Sequence, residues 1–313
     1  MAAMKTKHIL AAIAASLLLT GCFQDIHEIV PGEDVGYLTP VLKWANPSDA
    51  GTEIHDLIVV VDGEGESYTR RYANAKEFAS EPLVIPAGKY NILVLANATE
   101  ADGYQVSGLP ATKTWGGCKL DIYTNGLGSL MPPGNCHVGG CTGTIDQHQM
   151  SGPTISLEPV LPAVAMSMSN IPESVSVSVA VCNPAASINL LAEDGGRFEP
   201  SDEKGAVLDL GDLSHGDIVT LVPPTVDGSS TCDLTLTVTD SGGTSGSKTQ
   251  HASEPSHIIN MTAPRMDCGK QYILAIDYSD LIHVLSLGSD TITINDWTSL
   301  GDPIGGDVFK PAQ

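Results

Sequence analysis

The chain has 313 residues, of which 42% are hydrophobic and only 5% aromatic, and its formal net charge is −22 at pH 7. Such a negative chain is repelled by nucleic acid and by anionic lipid head groups, which excludes both as expected partners. The length suffices for two domains of ordinary size, and abundant Thr, Ser, Val, Gly and Pro favour an all-β fold with tight turns.

The first segment has the pattern of an export signal. Basic residues precede an apolar run over 9–19 that is too short to span a membrane comfortably. The small residues Thr20 and Gly21 follow, directly before Cys22, whose thiol can carry a diacylglycerol. The pattern predicts a lipoprotein signal peptide over 1–21. Acyl chains on Cys22 would hold the mature protein in outer-membrane lipid, since each buried methylene contributes roughly 0.8 kcal/mol.

Strand signals begin after a polar, acidic segment over 22–34, which we interpret as a tether. The β-branched run 57–62 is followed by a Gly/Glu turn and a Tyr-containing segment over 67–72, which predicts a hairpin. Two further strands, 83–85 and 90–96, flank a Pro-Ala-Gly turn.

A long Cys-rich insertion is predicted between about 102 and 153, because this region is rich in Gly, Pro and Asn and lacks a sustained hydrophobic period. Regular strand character returns in 175–181, where valines alternate with serines, so that one face is buried and the other meets water. A polar stretch ending at Gly196 marks the predicted boundary of an N-terminal β-sandwich domain over 35–196.

The remaining residues, 197–313, predict a C-terminal β-sandwich domain. Short β-rich segments alternate there with turn residues, at the spacing typical of a sandwich. These segments are 206–210, 218–222, 234–239, 257–261, 272–277, 283–287 and 291–294.

The cysteines beyond Cys22 number six, an even count compatible with disulfides in an exported chain. Cys136 and Cys141 are the easiest local pair, and Cys118 is a further candidate. Free thiols, or a metal site that uses these cysteines with a neighbouring histidine, remain open alternatives. The spacing of Cys136 and Cys141 is not a standard zinc pattern, so we expect no metal.

Motifs of catalysis are missing from the sequence. It contains no G-x-S-x-G elbow, no H-E-x-x-H helix and no phosphate-binding P-loop. Carboxylates are so plentiful that a pair suited to glycoside hydrolysis could be assembled almost anywhere, and they therefore carry no weight. We expect neither an enzyme nor a cofactor.

Three tryptophans, Trp44, Trp115 and Trp297, keep a second functional hypothesis open. Exposed tryptophans can stack on sugar rings, although each could instead fill a core. Trp115 is expected to be the most exposed of the three and Trp297 the most buried. Trp115 and Trp44 are thus candidate platforms of a surface glycan-binding lipoprotein.

Taken together, the motifs resemble those of the fimbrillin-like proteins of Bacteroidales, in particular the FimB/Mfa2 family of lipid-anchored fimbrial subunits. The resemblance spans most of the mature chain. Its elements are the Cys22 lipobox, the strand and acidic turn at 57–65, the Pro86–Asn91 element leading into 94–97, the strands 175–181 and 234–240, and the closing segments 272–276 and 292–297.

The resemblance implies two consecutive transthyretin-like Greek-key β-sandwiches at the cell surface, in an adhesive filament whose subunits join by strand addition. In the family's stalk subunits a protease that cuts after arginine removes the first strand. Here no arginine precedes Arg70 and Arg71, which favours an uncut, permanently lipidated anchor subunit; cleavage near Lys43 by a protease of other specificity is the open alternative, and a minor or tip component is the other role considered. The expected partners are other fimbrial subunits, each donating a strand, and the receiving edge is expected in the second domain.

Overall fold

The computed structural model describes residues 34–64, 66–109, 117–124, 129–190, 198–199, 207–240, 256–286, 291–293 and 298–300. The predicted all-β class is confirmed, because strands dominate these residues and the α-helices are short, α1 (Ala75–Ser80) and α2 (Tyr278–Ser286).

The strands up to residue 159 are β1 (Val35–Leu38), β2 (Val41–Trp44), β3 (Leu57–Gly63), β4 (Ser67–Tyr72), β5 (Leu83–Pro86), β6 (Gly88–Ala96), β7 (Tyr104–Ser107), β8 (Lys119–Ile122), β9 (His137–Ile145), β10 (Met150–Ser151) and β11 (Thr154–Pro159). Those that follow are β12 (Ala163–Ser169), β13 (Val175–Cys182), β14 (Ser187–Asn189), β15 (Phe198–Glu199), β16 (Val207–Asp212), β17 (Ile218–Leu221), β18 (Thr231–Asp240), β19 (Ser256–Pro264), β20 (Gln271–Asp277), β21 (Thr291–Thr293) and β22 (Thr298–Leu300).

The early strands form a six-stranded sheet in the order β2-β11-β9-β6-β3-β4 and a three-stranded sheet in the order β10-β1-β5. Most neighbouring strands run antiparallel, but β2 is parallel to β11 and β1 is parallel to β10. The later strands form the sheets β17-β12-β20-β22 and β16-β13-β18-β19-β21, and β15-β14-β8-β7 is a further sheet.

One core lies between the three-stranded sheet and the facing side of the six-stranded sheet. Leu38 and Ile85 from the small sheet pack with Val59 and Ile92 from the large one, and Phe78 of α1 joins them. Apolar residues alternate along these strands because successive side chains point to opposite faces.

The opposite face of the six-stranded sheet is also partly covered. Val60 and Leu93 are buried there and belong to a second core, together with Tyr104 and the alternating valines of β13. The predicted alternation in β13 is confirmed: its valines are buried and the residues between them are half-buried.

The predicted Cys-rich insertion is wrong for its central part, because β9 lies inside the six-stranded sheet. It pairs with β6 from Gly88↔Ile145 to Ala96↔His137. Gly139 in β9 explains why its sequence does not read as a strand: a Cβ there would lie 2.3 Å from the Ser156 carbonyl oxygen. The backbone of β11 thus requires glycine at this position. A β-branched residue there would have made the strand recognisable from sequence.

The predicted strand over 283–287 is also wrong, since α2 occupies most of it. Asp277 accepts a hydrogen bond from the Ser279 backbone N–H at 2.9 Å, as residues that start helices do. Leu281, in the first turns of α2, is buried. The tertiary contact of this helix outweighs the β-propensity of its residues.

Strand pairing crosses the boundary predicted at Gly196. Strands β12 and β13 precede that residue but pair with β16, β17, β18 and β20, all of which follow it. A division near Leu161, between β11 and β12, keeps these partners together, but the pairing of β8 with β14 crosses it. The existence of two domains stays a prediction.

Candidate functional site

The strand β2 is an edge of the six-stranded sheet. Val41 N–H donates to the Pro153 carbonyl at 2.8 Å, and Ala45 N–H donates to the Leu157 carbonyl at 2.9 Å. In a parallel pair, alternate residues bond to the same neighbour. The backbone N–H and C=O groups of Leu42, between these positions, therefore point away from β11. They form a short edge to which another extended segment could bond.

An apolar groove of about 260 Å³ adjoins this edge. It lies between β2 and α1, and we call it the β2 groove. Its lining residues are Thr39, Pro40, Leu42, Lys43, Trp44, Ile54, Ala75, Phe78, Ala79 and Leu157. A free edge beside an apolar groove is the combination required for β-augmentation, because backbone bonds supply affinity and alternate side chains enter the groove.

The far wall of the groove depends on the capping of α1. The Asn74 side chain accepts hydrogen bonds from the backbone N–H groups of Lys76 at 3.0 Å and Glu77 at 2.9 Å. Glu77 in turn accepts from the backbone N–H of Ala73, the residue before the N-cap, at 2.5 Å, so that both side chains bond to backbone groups at the start of the helix. The Asn-x-x-Glu spacing is a sequence signal for this helix that the strand-based interpretation missed.

Phe78 holds α1 against the sheet. Its ring packs edge-on against Tyr72, with centroids 5.2 Å apart. Burial raises the pKa of the Tyr72 phenol, which stays protonated at neutral pH. The helix therefore presents Ala75 and Ala79 to the groove from a fixed position.

Trp44 lines the groove but is not an open platform. Its ring is half-buried and lies edge-on to the buried His137 ring, with centroids 4.7 Å apart. His137 Nε2 forms a hydrogen bond with Asp49 Oδ2 at 3.1 Å. This placement favours the core interpretation of Trp44 over sugar stacking. Trp115 and Trp297 lie outside the described residues, as does Cys22.

The cysteines proposed as a disulfide are not brought together. Cys118, Cys136 and Cys141 all carry free thiols. Cys136 immediately precedes β9 and Cys141 lies within it, so at about 3.3 Å per residue their Cα atoms are roughly 16 Å apart. A disulfide needs less than about 7 Å, and this local pairing is therefore wrong.

Burial makes two of these thiols poor nucleophiles. It raises the pKa of Cys118 to about 11. The pKa of Cys136 is also raised, first by burial and then by the carboxylates of Asp102 and Asp56. Thiolates are the reactive and metal-binding form, so both positions suit packing better than chemistry.

The described residues contain neither a cluster of metal ligands nor a membrane-spanning helix. No three His, Cys, Asp or Glu side chains among them cluster as metal ligands would. No helix within the described ranges has the length and apolar character needed to cross a membrane.

No family model matches the chain, and no curated protein matches it. Its fold is similar to that of several solved structures from Bacteroides and Porphyromonas species. A candidate polysaccharide-binding protein from Bacteroides thetaiotaomicron has a TM-score of 0.49 and 13% identity, over 78% of this chain and 93% of its own. A candidate adhesin from Bacteroides ovatus has a TM-score of 0.49 and 10% identity, over 77% and 87%.

The fimbrial anchor protein Mfa2 from Porphyromonas gingivalis is also similar, with a TM-score of 0.41 and 13% identity over 66% of this chain and 78% of its own. Every one of these TM-scores is below 0.5. The likenesses therefore assign no function to this chain.

Proposed function

We infer that this chain is a lipid-anchored fimbrial subunit of the bacterial surface that joins its partners by β-strand addition. The observation that carries the inference is the edge of β2 beside the β2 groove. Acylated Cys22 ties the chain to the outer membrane, and the segment up to Asp34 spans the distance to β1. The role is that of an anchor, or of a minor or tip component, of an adhesive polymer.

Strand addition at this edge follows from ordinary hydrogen-bond chemistry. An incoming segment would satisfy the outward backbone groups of Leu42 and place alternate side chains toward Phe78 and Ala79. The strand β2 has four residues, and the groove lining along it runs only from Thr39 to Trp44. The donor is therefore a short extended segment with one or two apolar side chains on one face.

The choice of β2 revises the expectation that the second domain receives the strand. Edge strands β16 and β17 exist there. The case for β2 is stronger because an apolar groove lies beside it, lined by Leu42, Ile54 and Leu157 among others. No part of this proposal requires enzymatic chemistry.

A groove-filling variant tests the assembly step. Ala79→Trp fills the β2 groove from an exposed position of α1, whereas Ala73→Trp places the same side chain just outside the helix and the groove. We expect Ala79→Trp to reduce co-purification of fimbrial subunits with the tagged protein from outer membranes by at least about tenfold, and Ala73→Trp to leave it unchanged. Equal co-purification in both variants contradicts the assignment of this groove.

A backbone variant gives an independent test. Leu42→Pro removes an N–H that points away from β11, and proline is tolerated at such edge positions. The variant should therefore fold, with an unchanged circular dichroism spectrum, yet lose its fimbrial partners. Retention of those partners by the folded variant argues against bonding at this edge.

A further inference from the structure

A polar cleft of about 590 Å³ lies at the end of β3, the start of β6 and the end of β9. It is lined by Asp62, Gly63, Glu64, Lys89, Tyr90, Asn91, Thr142, Gly143 and Thr144. Cavities of about 300–1,000 Å³ are typical of small-molecule and cofactor sites. Neither the tether nor the β2 groove uses any of these residues.

Three side chains that line the cleft, Asp62, Asn91 and Thr142, form a row that Ser67 of the next strand continues outside the lining. Ser67 in β4 pairs with Asp62 in β3, Asp62 pairs with Asn91 in β6, and Asn91 pairs with Thr142 in β9. Directly paired residues point to the same face and their strands are about 4.8 Å apart, so the row is about 14 Å long. It extends across the strands, and its members repeat at a regular spacing.

A second row reinforces the first. Lys89 pairs with Thr144, and each lies two residues beyond a member of the first row, so both point to the same face. Lys89, Asn91, Thr142 and Thr144 are all exposed. Asp62 is held in place by a hydrogen bond from the Ser67 hydroxyl. The cleft thus combines a fixed carboxylate with several accessible polar side chains.

The position of the cleft follows from where the second core ends. On the same face, Val60 and Leu93 are paired and buried; Val60 lies two residues before Asp62 in β3, and Leu93 lies two residues after Asn91 in β6. This face of the six-stranded sheet is apolar and buried at Val60 and Leu93, and it is polar and accessible at the next pair of residues, Asp62 and Asn91. An open face made of paired polar residues has no packing role to explain it.

The chemistry of the cleft selects among ligand classes. A peptide strand is not favoured beside Asp62 or Asn91, because β3 and β6 are bonded on both sides there; β9 pairs with β11 only at His137 and Val138. An apolar ligand would meet no apolar side chain in either row. A multivalent cation would lack ligands, since no three His, Cys, Asp or Glu of the described chain cluster together. Anionic polymers are repelled by the net charge of −22.

We propose that this cleft binds a neutral oligosaccharide, lying along the row Ser67, Asp62, Asn91 and Thr142. Each sugar hydroxyl is both a donor and an acceptor, and the row offers a carboxylate, an amide and hydroxyls in succession. Lys89 and Glu64 flank the row with a further donor and acceptor. The site relies on hydrogen bonds, and Trp44 is not among its lining residues, which distinguishes it from an aromatic platform built on Trp44. It does not depend on strand addition.

Isothermal titration calorimetry of the purified full-length protein tests the proposal, with cellohexaose, mannohexaose, maltohexaose and chitohexaose as probes. We expect saturable binding of at least one probe, weakened about threefold to tenfold by Asn91→Ala and again by Thr142→Val. The matched control is Asn260→Ala, at an exposed position of β19 outside the cleft, which should bind like the unchanged protein. Thermal unfolding of each variant verifies that it is folded.

Three results overturn the proposal. The first is no binding of any probe by the folded protein. The second is binding that Asn91→Ala and Thr142→Val leave unchanged. The third is binding of CaCl₂ alone that Asp62→Asn abolishes, which assigns the cleft to a cation. Because these are measurements on the isolated protein, failure here leaves the co-purification test of strand addition unaffected.

Discussion

His137 Nε2 lies 3.1 Å from Asp49 Oδ2, and this hydrogen bond joins β9 to the 3₁₀ turn Pro47–Gly51 that follows β2. The His137 side chain is fully buried, and the Asp49 side chain is 14% exposed. The bond therefore connects the centre of the six-stranded sheet to the end of its edge strand. It also fixes the ring against which Trp44 packs.

Removal of the Asp49 carboxylate should destabilise the contact between β9 and the 3₁₀ turn Pro47–Gly51. Asp49→Ala leaves a buried imidazole nitrogen without its partner, and we expect the free energy of unfolding to fall by about 1–3 kcal/mol. Asp49→Asn keeps a hydrogen-bonding group and should lose less. Urea denaturation measures the difference. Asp217→Ala, at an exposed position, is the control and should change little; an equal loss in both alanine variants contradicts the structural role of the bond.

The position of β9 inside the sheet gives a second prediction. A Cβ at Gly139 would lie 2.3 Å from the Ser156 carbonyl oxygen, and that atom belongs to the backbone. We expect Gly139→Ala to lower the free energy of unfolding by about 1–3 kcal/mol, since the strands must move apart. Gly51→Ala is the control, because a Cβ there meets nothing within 4 Å. If Gly139→Ala is as stable as Gly51→Ala, β9 does not pack as described.

The contacts of Gly139 with Ser156 and of His137 with Asp49 join segments that are far apart in the chain, and the sequence alone did not predict them. The alternation in β13 and the β-branched run in β3 were sufficient to predict both strands, because their side chains pack by type and period. In β9 the sequence is dictated by a close approach of backbone from a distant segment, which has no local pattern. The strand predicted over 283–287 failed for a related reason, since the helix there depends on the Asp277 cap and on burial of Leu281.

The candidate site was predictable only in part. Cys22 and its lipobox are contiguous in sequence, so a lipid anchor could be proposed from the sequence alone, and it stays a prediction. The β2 groove is made of segments far apart in the chain, with Leu42 on one side and Phe78 on the other. The only local sequence signal for α1 is the spacing of the N-cap residue Asn74 and Glu77 in the first turn. The cleft depends on strand register between Asp62, Asn91 and Thr142, which no single segment reveals.

Thiol titration tests the absence of disulfides among the described cysteines. We expect the denatured mature protein, with Cys22 acylated, to react with six equivalents of Ellman's reagent. This number equals that of the free cysteines in the described residues. In the native protein at about pH 8, Cys118 and Cys136 should react far more slowly than Cys141, because they are buried and their pKa values are raised. A lower count in the denatured, unreduced protein indicates a disulfide and contradicts the structure.

Acid stability should depend on Asp277. Hydrogen bonds from the Ser279 hydroxyl and backbone N–H, and then from Asn170, lower the pKa of this carboxyl to about 2. In the unfolded chain an Asp carboxyl has a pKa of about 3.9. Because the folded pKa is the lower one, its stabilisation is present above about pH 4 and is lost as pH falls toward about 2.

Asp277→Asn removes this contribution. The difference in free energy of unfolding between the unchanged protein and the variant should shrink as pH falls from about 5 to about 2. Urea denaturation at several pH values measures it, and Asp217→Asn, at an exposed position, serves as the matched control. A pH-independent difference for Asp277→Asn contradicts the proposed hydrogen-bonded carboxylate.

The central claim, that the chain is held to the membrane by lipid on Cys22, is tested most directly by mass spectrometry of the mature amino terminus from the outer-membrane fraction. We predict a terminal peptide that begins at Cys22 and carries a thioether-linked diacylglycerol with a further acyl chain on its amine. The Cys22→Ala chain should leave the membrane fraction, and the polymer should appear in the medium. An unmodified Cys22, or a mature terminus elsewhere in a protein that still pellets with the membrane, contradicts the account.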